Sequence, residues 1–380
     1  MDFSVLSAFL DSLVEDKGIP GVDMVIYQDH TSIFRHNAGF RDVARTQPVR
    51  HDDTYFIYSC TKPITCACAL SLFEKGAFLM SDPLSDYLPE FKNMTVREID
   101  DRGNERVRPA KREIEIRDLF TMTAGFDYDL NTPEIKRAIA ETGGEAPTRE
   151  IIRALAQKPL CFDPGEHWSY SLCLDVLAAF VEVVSGMRFE TFMRKTLFEP
   201  LGMKSSAMHL TDALSARLAA QYERNGKTNV ISPIPAQNAY ILGARYDSGG
   251  AGLVTCVDDY IRFADAMACG GVGLTGERIL SPATINLMRE NHLNPRQLAD
   301  LTWIQMRGYG YGLGVRTMID RTQGSLSSLG EFGWGGAAGA YALIDPERHL
   351  SAYFAEHMLN SYEPYVHPRL RNILYAAFEA

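Results

Sequence analysis

Apolar residues recur along this chain at two different spacings, which predict where helices and strands form. Leu6, Leu10 and Leu13 follow the helical period, so we expect an amphipathic helix that ends before Gly18. Runs rich in β-branched and aromatic residues predict strands, whereas longer apolar runs bounded by glycine or proline predict helices. The predicted strands are 22–28, 32–40, 55–58, 311–319, 338–344 and 350–356. The other predicted helices are 64–73, 118–123, 174–184, 189–197, 258–268 and 365–378.

The order of these elements predicts an α+β fold. Strands lie near both ends of the chain, so the early hairpin and the late strands can share one antiparallel sheet flanked by the terminal helices. A mainly helical domain, 77–245, is then inserted into an α/β domain made of residues 1–76 and 246–380. We expect the active site to lie between these two domains. Residues 95–117 interleave acidic and basic side chains with Val and Ile, which is typical of a small solvated hairpin.

Composition restricts the partners and the compartment. The net charge of −10 over 380 residues argues against nucleic acid and against an anionic membrane surface. The seven cysteines form no Cys-x-x-Cys pair and no Cys/His cluster with zinc spacing, so we expect reduced, mostly buried thiols and neither metal nor cofactor. The first residues lack the basic and apolar regions of a leader, and the apolar stretch 174–184 is too short to span a bilayer. We therefore expect a cytoplasmic protein.

The stretch Tyr58-Ser59-Cys60-Thr61-Lys62-Pro63 carries the strongest candidate chemistry. Proline is tolerated only in the first turn of a helix, so Pro63 places Ser59 at or next to the helix N-terminus. Free amides and the helix dipole favour an oxyanion there. Lys62 lies on the same helix face as Ser59, and a desolvated lysine has a lowered pKa and can accept the serine proton. Alone, the pattern equally fits an N-cap serine beside a solvated lysine.

Two more segments can complete a site. In Trp168-Ser169-Tyr170-Ser171-Leu172, Tyr170 lies between a turn and an apolar helix, where its phenol can act as an acid or a base. The glycines of segment 333–339 allow a backbone to approach a substrate with an exposed N–H. Each also has a simpler interpretation, as a core tyrosine and a tight turn. A third glycine-rich segment, 248–252, lacks the P-loop Lys-Ser/Thr ending and predicts a turn where backbones approach.

Together and in this order, these motifs resemble the serine beta-lactamase-related family. That family includes class C beta-lactamases, D-alanyl-D-alanine carboxypeptidases, D-aminopeptidases, family VIII carboxylesterases and some acyltransferases. The similarity extends from about residue 20 to residue 357, and a set of this length is far more specific than any single motif. The matching segments are Ser59-Cys60-Thr61-Lys62, Leu119-Phe120-Thr121-Met122-Thr123-Ala124-Gly125, Pro164-Gly165 with Tyr170-Ser171, Val184-Ser185-Gly186, Phe198-Glu199-Pro200-Leu201-Gly202-Met203, Gly249-Gly250-Ala251-Gly252-Leu253 and Tyr311-Gly312-Leu313-Gly314.

The resemblance implies a role for each of four residues. Ser59 would be the acylated nucleophile, and Lys62 and Tyr170 would share the work of base and acid. The oxyanion hole would be formed by the backbone N–H groups of Ser59 and Ala337. We expect Tyr128 to line the acyl pocket.

Two departures from the family's pattern bear on the substrate. Beta-lactamases and peptidases of the family have Tyr-x-Asn as their second motif, but here the third position is Leu172, which cannot hydrogen-bond a substrate amide. Their third motif is Lys-Thr-Gly or His-Thr-Gly, but here it is Trp334-Gly335-Gly336, similar to family VIII esterases. Both changes remove groups suited to an amide that bears a carboxylate. The resemblance therefore implies a hydrolase of small, uncharged, short-chain esters. We expect Trp334 to line the acyl pocket and Gly335, Gly336 and Leu172 to contact the substrate.

Several alternatives remain open. On the same scaffold, the protein can be a beta-lactam or D-amino-acid amide hydrolase, or an acyltransferase that passes the acyl group to an alcohol or amine. A beta-lactamase would need Arg245 or Arg316 to replace the missing cation. An alternative of another class is a non-catalytic binding homologue, which the intact Ser59, Lys62 and Tyr170 disfavour. The natural substrate, the acyl chain length and the oligomeric state are left open.

Overall fold

The computed structural model describes residues 1–100 and 102–379, and its elements follow the predicted order. The strands are β1 (Gly21–Gln28), β2 (Thr31–Gly39), β3 (Thr54–Phe56), β4 (Thr95–Ile99), β5 (Glu105–Pro109), β6 (Gln221–Arg224), β7 (Ile231–Ile234), β8 (Val254–Cys256), β9 (Tyr309–Tyr311), β10 (Arg316–Met318), β11 (Phe332–Gly333), β12 (Tyr341–Asp345), β13 (Leu350–Ala355) and β14 (Met358–Leu359). The helices are α1 (Ser4–Glu15), α2 (Thr61–Phe73), α3 (Ile116–Phe120), α4 (Pro133–Glu141), α5 (Thr148–Leu155), α6 (Cys173–Ser185), α7 (Phe189–Met193), α8 (Glu199–Leu201), α9 (Asp212–Ser215), α10 (Val257–Ala268), α11 (Pro282–Arg289), α12 (Pro295–Asp300) and α13 (Glu363–Glu379).

Strands from both ends of the chain form one antiparallel sheet, which confirms the predicted α+β class. Its order is β2-β1-β13-β12-β11-β10-β9. The N-terminal hairpin joins the C-terminal strands through β1 and β13, where Val25 lies opposite Tyr353. The hairpin turns at Asp29 and His30, which both have positive φ angles. The late strands therefore continue the sheet through β12 to β11, where segment 333–339 begins.

The two faces of this sheet are covered by different helices because side chains alternate along each strand. Val22, Met24 and Ile26 point to one side, in a core shared with α1 and α13. Val25 points to the other side, into the larger core that includes α2, α6 and α10. The sheet is thus enclosed on both faces, and β12 and β13 are accordingly buried along their whole length rather than at alternate residues.

Helix α2 lies inside the protein and carries the predicted nucleophile at its start. Its residues from Thr61 to Leu72 are all buried, so the helix is covered on every side. It packs against α6, whose residues from Cys173 to Val181 are also buried. Because both helices are fixed by the core, the α2 N-terminus is held in one position.

The structure corrects three details of the predicted elements. Segment 311–319 is not one strand: β9 and β10 pair antiparallel, and Gly314, with φ of +75°, lies in the turn between them. Strand β8 was not predicted, and it pairs with β3 just before Ser59. Strand β7 was not predicted either. These strands have three or four residues, too few for their alternation to be recognised.

The division into two domains stays a prediction. Strand β6 falls inside the predicted inserted segment, yet it pairs with β14 from the other part of the chain. The backbone N–H of Thr54 likewise bonds to the Arg217 carbonyl. The predicted hairpin of 95–117 is present as β4 and β5.

All seven cysteines are free, and five of them are buried. No helix of residues 1–100 and 102–379 is both long and apolar enough to cross a membrane.

Candidate active site

Ser59 lies in a tight turn between strand β3 and helix α2. A 3₁₀ turn, Tyr58–Cys60, precedes α2, so Pro63 falls in the first helical turn as predicted. Tyr58 has a φ of +46°, a conformation that costs free energy for a bulky residue and is concentrated at functional sites. The Tyr58 hydroxyl contacts the side chain of Gln221, and its ring packs against Tyr240. These contacts hold the backbone conformation that presents Ser59 to the solvent side.

Lys62 is fully buried and its amine contacts the Ser59 hydroxyl. Its Nζ lies 3.1 Å from Ser59 Oγ, 2.7 Å from the Gly250 carbonyl oxygen and 3.2 Å from the Tyr128 hydroxyl. No carboxylate of the described chain forms an ion pair with it. Desolvation therefore disfavours the ammonium form and lowers the pKa of Lys62 to about 7. Near neutral pH, a large share of Lys62 is a neutral amine that can accept the serine proton.

Tyr170 also contacts Ser59, and its ring lies beside Lys62, with Nζ 4.5 Å from the ring centroid. Its phenol donates a hydrogen bond to Ser59 Oγ at 2.5 Å, and it accepts one from the Trp334 indole N–H at 3.3 Å. Burial raises the pKa of Tyr170 far above the ordinary value of a phenol. Tyr170 is therefore a phenol in the resting protein. Ser59 thus contacts both a proton acceptor and a proton donor.

The turn after strand β11 brings a second backbone amide to the same place. The Gly336 N–H bonds to the Ala340 carbonyl, and Gly336 lies directly against the Ile57 carbonyl. This contact sets the turn beside the segment that carries Ser59. Within residues 1–100 and 102–379, neither the Ser59 amide nor the Ala337 amide has a hydrogen-bond acceptor. Both amides therefore remain available to an oxyanion.

These groups lie at a cavity of about 890 Å³. The cavity is large enough for a small-molecule ligand, and aromatic rings form much of its wall. The aromatic residues that line it are Tyr58, Tyr128, Tyr170, Tyr240, Trp303, Trp334 and Tyr341.

Comparison with known proteins accounts for this arrangement. Residues 6–377 match the beta-lactamase family model. The chain belongs to the beta-lactamase family. Within that family it is 26% identical over 370 residues to esterase EstB of Burkholderia gladioli, covering 91% of this chain and 88% of EstB. It is 25% identical over 364 residues to monacolin J acid methylbutanoyltransferase of Aspergillus terreus, covering 89% of this chain and 86% of that protein.

A solved structure shows the same fold over the whole chain. It is EstCE1, described as a hydrolase with promiscuous acyltransferase activity. The TM-score is 0.78 at 24% identity, and the match covers 100% of this chain and 98% of EstCE1. The antiparallel sheet flanked by terminal helices is therefore the fold shared with esterases and acyltransferases of the family.

Of the residues that the sequence singled out beyond Ser59, Lys62 and Tyr170, most line the cavity. Tyr128 and Trp334 do so, as do Gly335, Gly336 and Ala337. Leu172 is the exception and corrects the prediction of a substrate contact. It precedes the first turn of α6, its side chain is buried in the core, and its amide bonds to the Asp127 carbonyl.

Three features of the site carried no recognisable sequence signal or only a weak one. The Gly250 carbonyl, which accepts a hydrogen bond from Lys62, belongs to the predicted turn of 248–252, whose backbone does approach the site. Trp303 packs against Tyr170 with ring centroids 5.1 Å apart. The chain has only three tryptophans, and this scarcity was a usable hint. Glu363 lines the cavity from the start of α13, and no pattern around it marks it as special.

Neither arginine that the sequence offered as a replacement cation is free for a substrate. Arg316 is buried and its Nη2 lies 2.9 Å from Glu331 Oε1, in a buried ion pair. Arg245 is exposed and is not among the residues that line the cavity. The site thus lacks an unpaired guanidinium from either residue.

Two side-chain groups have the composition of a metal site, and both lie outside the cavity. One is His30, Asp265 and Cys269, and the other is Glu190, His209 and Asp247. In the second group, Asp247 already forms an ion pair with Arg188 at 2.8 Å. Neither group contacts Ser59, and the chemistry proposed below does not use them.

Proposed function

We propose that this protein is a serine hydrolase that cleaves carboxylic esters through an acyl-enzyme on Ser59. The observation that carries the proposal is the contact of Ser59 Oγ with both Lys62 Nζ, at 3.1 Å, and the Tyr170 phenol, at 2.5 Å. A buried amine of lowered pKa and a buried phenol of raised pKa are suited to opposite roles in proton transfer.

Acylation begins when the neutral Lys62 amine takes the proton of Ser59 as Oγ attacks the ester carbonyl carbon. The carbonyl oxygen becomes an oxyanion, which the amides of Ser59 and Ala337 bind. The bond from the carbonyl carbon to the alcohol oxygen then breaks. The Tyr170 phenol gives its proton to the leaving alkoxide. The products of this half-reaction are the free alcohol, the acyl-enzyme, a Lys62 ammonium and a Tyr170 phenolate.

Deacylation restores both groups. The Tyr170 phenolate takes a proton from a water molecule, whose oxygen attacks the acyl carbonyl carbon. When the second tetrahedral intermediate collapses, Ser59 Oγ leaves and takes a proton from the Lys62 ammonium. Over the cycle one water is consumed and one carboxylic acid is released. The Trp334 indole N–H, 3.3 Å from the Tyr170 oxygen, stabilises the phenolate between the two steps.

The residues around the nucleophile favour esters over amides that bear a carboxylate. Trp334 stands where the resemblance places a cation in beta-lactamases, and its indole N–H is already bonded to Tyr170. Leu172, at the place of the asparagine, is buried and has no hydrogen-bonding side chain. EstB, an esterase, is a relative over nearly the whole chain.

Acyl transfer is the second candidate function, and it uses the same acyl-enzyme. An alcohol or amine would then take the place of water in the second half-reaction. The relationship to monacolin J acid methylbutanoyltransferase supports this candidate. The division of the acyl-enzyme between acyl transfer and hydrolysis can be measured. It is the ratio of new ester to free acid when a p-nitrophenyl ester is supplied with a primary alcohol.

The test of the proposed function is turnover of p-nitrophenyl acetate and butyrate combined with labelling by a fluorophosphonate. We expect the label on Ser59, located by peptide mass spectrometry, and loss of turnover in proportion to labelling. Labelling at another residue would refute the mechanism. The absence of turnover with intact labelling would point to a non-hydrolytic homologue.

A further inference from the structure

The charges that line the cavity are unevenly matched. The carboxylates are Asp129, Glu223 and Glu363, and the cations are Lys136 and Arg316. The charge of Arg316 is used by Glu331, as described above. Lys136 is exposed on the surface of α4, where water screens it. The interior of the cavity therefore presents more negative than positive charge to a ligand.

Glu363 is the carboxylate that lies deepest. Asp129 and Glu223 are exposed, and each accepts a local hydrogen bond, from Asn131 and Asn360 respectively. The Glu363 side chain is half-buried and has no hydrogen-bond or ion-pair partner in the described part of the chain. Its burial raises the pKa of Glu363 to about 7. At neutral pH only about half of Glu363 is therefore ionised, and a cation that comes close to it would favour the carboxylate form.

Glu363 lines the same cavity as the reacting groups. Ser59, Tyr170 and Glu363 all contribute to its wall. A ligand whose ester group reaches Ser59 therefore passes within the field of Glu363.

The aromatic wall beside Glu363 can bind the same kind of ligand. The rings of Tyr170 and Trp334 are stacked with centroids 5.7 Å apart, and Trp303 lies 5.1 Å from Tyr170. On the other side, Tyr128 and Tyr240 meet edge to face at 5.7 Å. Lys62 Nζ already lies 4.5 Å from the Tyr170 ring centroid and 5.3 Å from that of Tyr128. Of these rings, Trp303, Trp334 and Tyr240 are therefore the ones left for a ligand. Faces of aromatic rings attract cations, and quaternary ammonium groups in particular. The rings alone would also suit an uncharged acyl chain, so the unpartnered carboxylate decides between the two.

We propose that the natural ester carries a positively charged ammonium group, which binds between this aromatic wall and Glu363. The inference rests on the proposed function for the ester, but binding of the ammonium group does not require turnover. A site of this kind would also weaken the binding of carboxylate-bearing substrates, because the same field that attracts a cation repels an anion. Neutral short-chain esters remain substrates, since they lose only the additional attraction.

Choline and 3,3-dimethylbutan-1-ol test the proposal because they share a shape and differ in charge. Their binding can be measured by calorimetry or by quenching of tryptophan fluorescence. We expect choline to bind about tenfold more tightly than its carbon isostere. Glu363→Gln should remove most of that difference, and Glu363→Asp, which keeps the charge, should retain most of it. The matched control is Glu277→Gln, since Glu277 is exposed and outside the cavity.

Equal affinity of the two probes, or a choline preference unchanged in a folded Glu363→Gln, would overturn the proposal. Circular dichroism establishes that each variant is folded. Kinetics with butyrylcholine and 3,3-dimethylbutyl butyrate separate this inference from the proposed function. Turnover of the neutral ester with no choline preference in binding refutes the cation site alone. A choline preference without hydrolysis of any ester refutes the esterase and leaves the cation site standing.

Discussion

Gly336 lies so close to the carbonyl oxygen of Ile57 that no side chain fits between them. The two residues are far apart in sequence, and their contact joins the segment before the nucleophile to the turn that offers the Ala337 amide. One glycine thereby fixes the distance between the two proposed oxyanion donors, which belong to different elements of the fold.

Gly336→Ala should therefore impair catalysis more than folding. The added methyl group would clash with the Ile57 carbonyl and push the Ala337 amide away from Ser59. Removal of one oxyanion donor costs about a hundredfold or more in kcat, and we expect a loss of about that size for p-nitrophenyl butyrate. The measurement is kcat and KM, with the melting temperature determined in parallel.

Gly226→Ala is the matched control for this variant. A Cβ at Gly226 meets no atom within 4 Å, and this glycine does not have a positive φ angle. We expect wild-type kinetics from it. Near-normal kcat in a folded Gly336→Ala would show that the turn does not position an oxyanion donor.

The sequence was most informative where chemistry and local structure coincide. The three-residue spacing of Ser59 and Lys62, with Pro63 after them, predicted a nucleophile and a base on one helical turn, and the structure places the two side chains in contact. The contact of Tyr170 with Ser59 was expected only from the family resemblance. The two residues are 111 positions apart in the sequence, and no local pattern predicts that they meet.

Other parts of the site lay beyond what a single sequence can predict. The position of Trp303 depends on a short loop segment whose path is fixed only by tertiary packing. Glu363 looks like an ordinary acidic residue in the first turn of a helix, where it suits the helix dipole. Its burial and lack of a partner become visible only when the cavity is assembled. The prediction for Leu172 was wrong for a different reason. Its place in a motif suggested a substrate contact, but its side chain is buried in the core at the start of α6.

Ser59→Ala should abolish ester turnover without changing the fold, because no other hydroxyl of residues 1–100 and 102–379 is hydrogen-bonded to both Lys62 and Tyr170. The check is p-nitrophenyl butyrate hydrolysis together with fluorophosphonate labelling and circular dichroism. Ser215→Ala, at an exposed serine outside the cavity, should behave as wild type. Residual turnover at the wild-type rate in Ser59→Ala would require a different nucleophile.

Lys62→Ala and Tyr170→Phe should each lower kcat by at least about a hundredfold, the usual scale for acid and base groups. The losses should be strongly non-additive in the double variant, because both residues act on protons of one cycle. Tyr365→Phe and Lys75→Ala are suitable controls, since both side chains lie outside the cavity. If either catalytic variant kept a normal rate at neutral pH, the role assigned to that residue would be wrong.

The rate should depend on pH through the amine of Lys62. Burial lowers the pKa of Lys62 to about 7, so the neutral base form is scarce below that pH and dominant above it. We therefore expect kcat/KM for p-nitrophenyl butyrate to rise with pH through about 7 and then to level off. A rise centred near 10, the range of a solvated lysine, would show that Lys62 is not the desolvated base.

The protein should hydrolyse esters in preference to beta-lactams. The reason is that the charges lining the cavity do not suit the carboxylate of a beta-lactam. A beta-lactam such as nitrocefin carries a carboxylate, whose desolvation must be offset by a cation or by several donors. Trp334 supplies neither to the substrate, since its indole N–H bonds to Tyr170. Arg316 is paired with Glu331, and Glu363 adds a negative charge to the wall.

Loss of one well-placed charged contact costs about 2–4 kcal/mol in transition-state binding, a factor of tens to about a thousand. A small neutral ester loses nothing by these changes, and esters are intrinsically easier to cleave than amides. We therefore expect kcat/KM for p-nitrophenyl butyrate to exceed that for nitrocefin by at least about tenfold. Trp334→Lys is the informative variant, because a cation at this place should shift the ratio towards nitrocefin. A wild-type ratio below one would return the protein to the beta-lactamase or peptidase branch of its family.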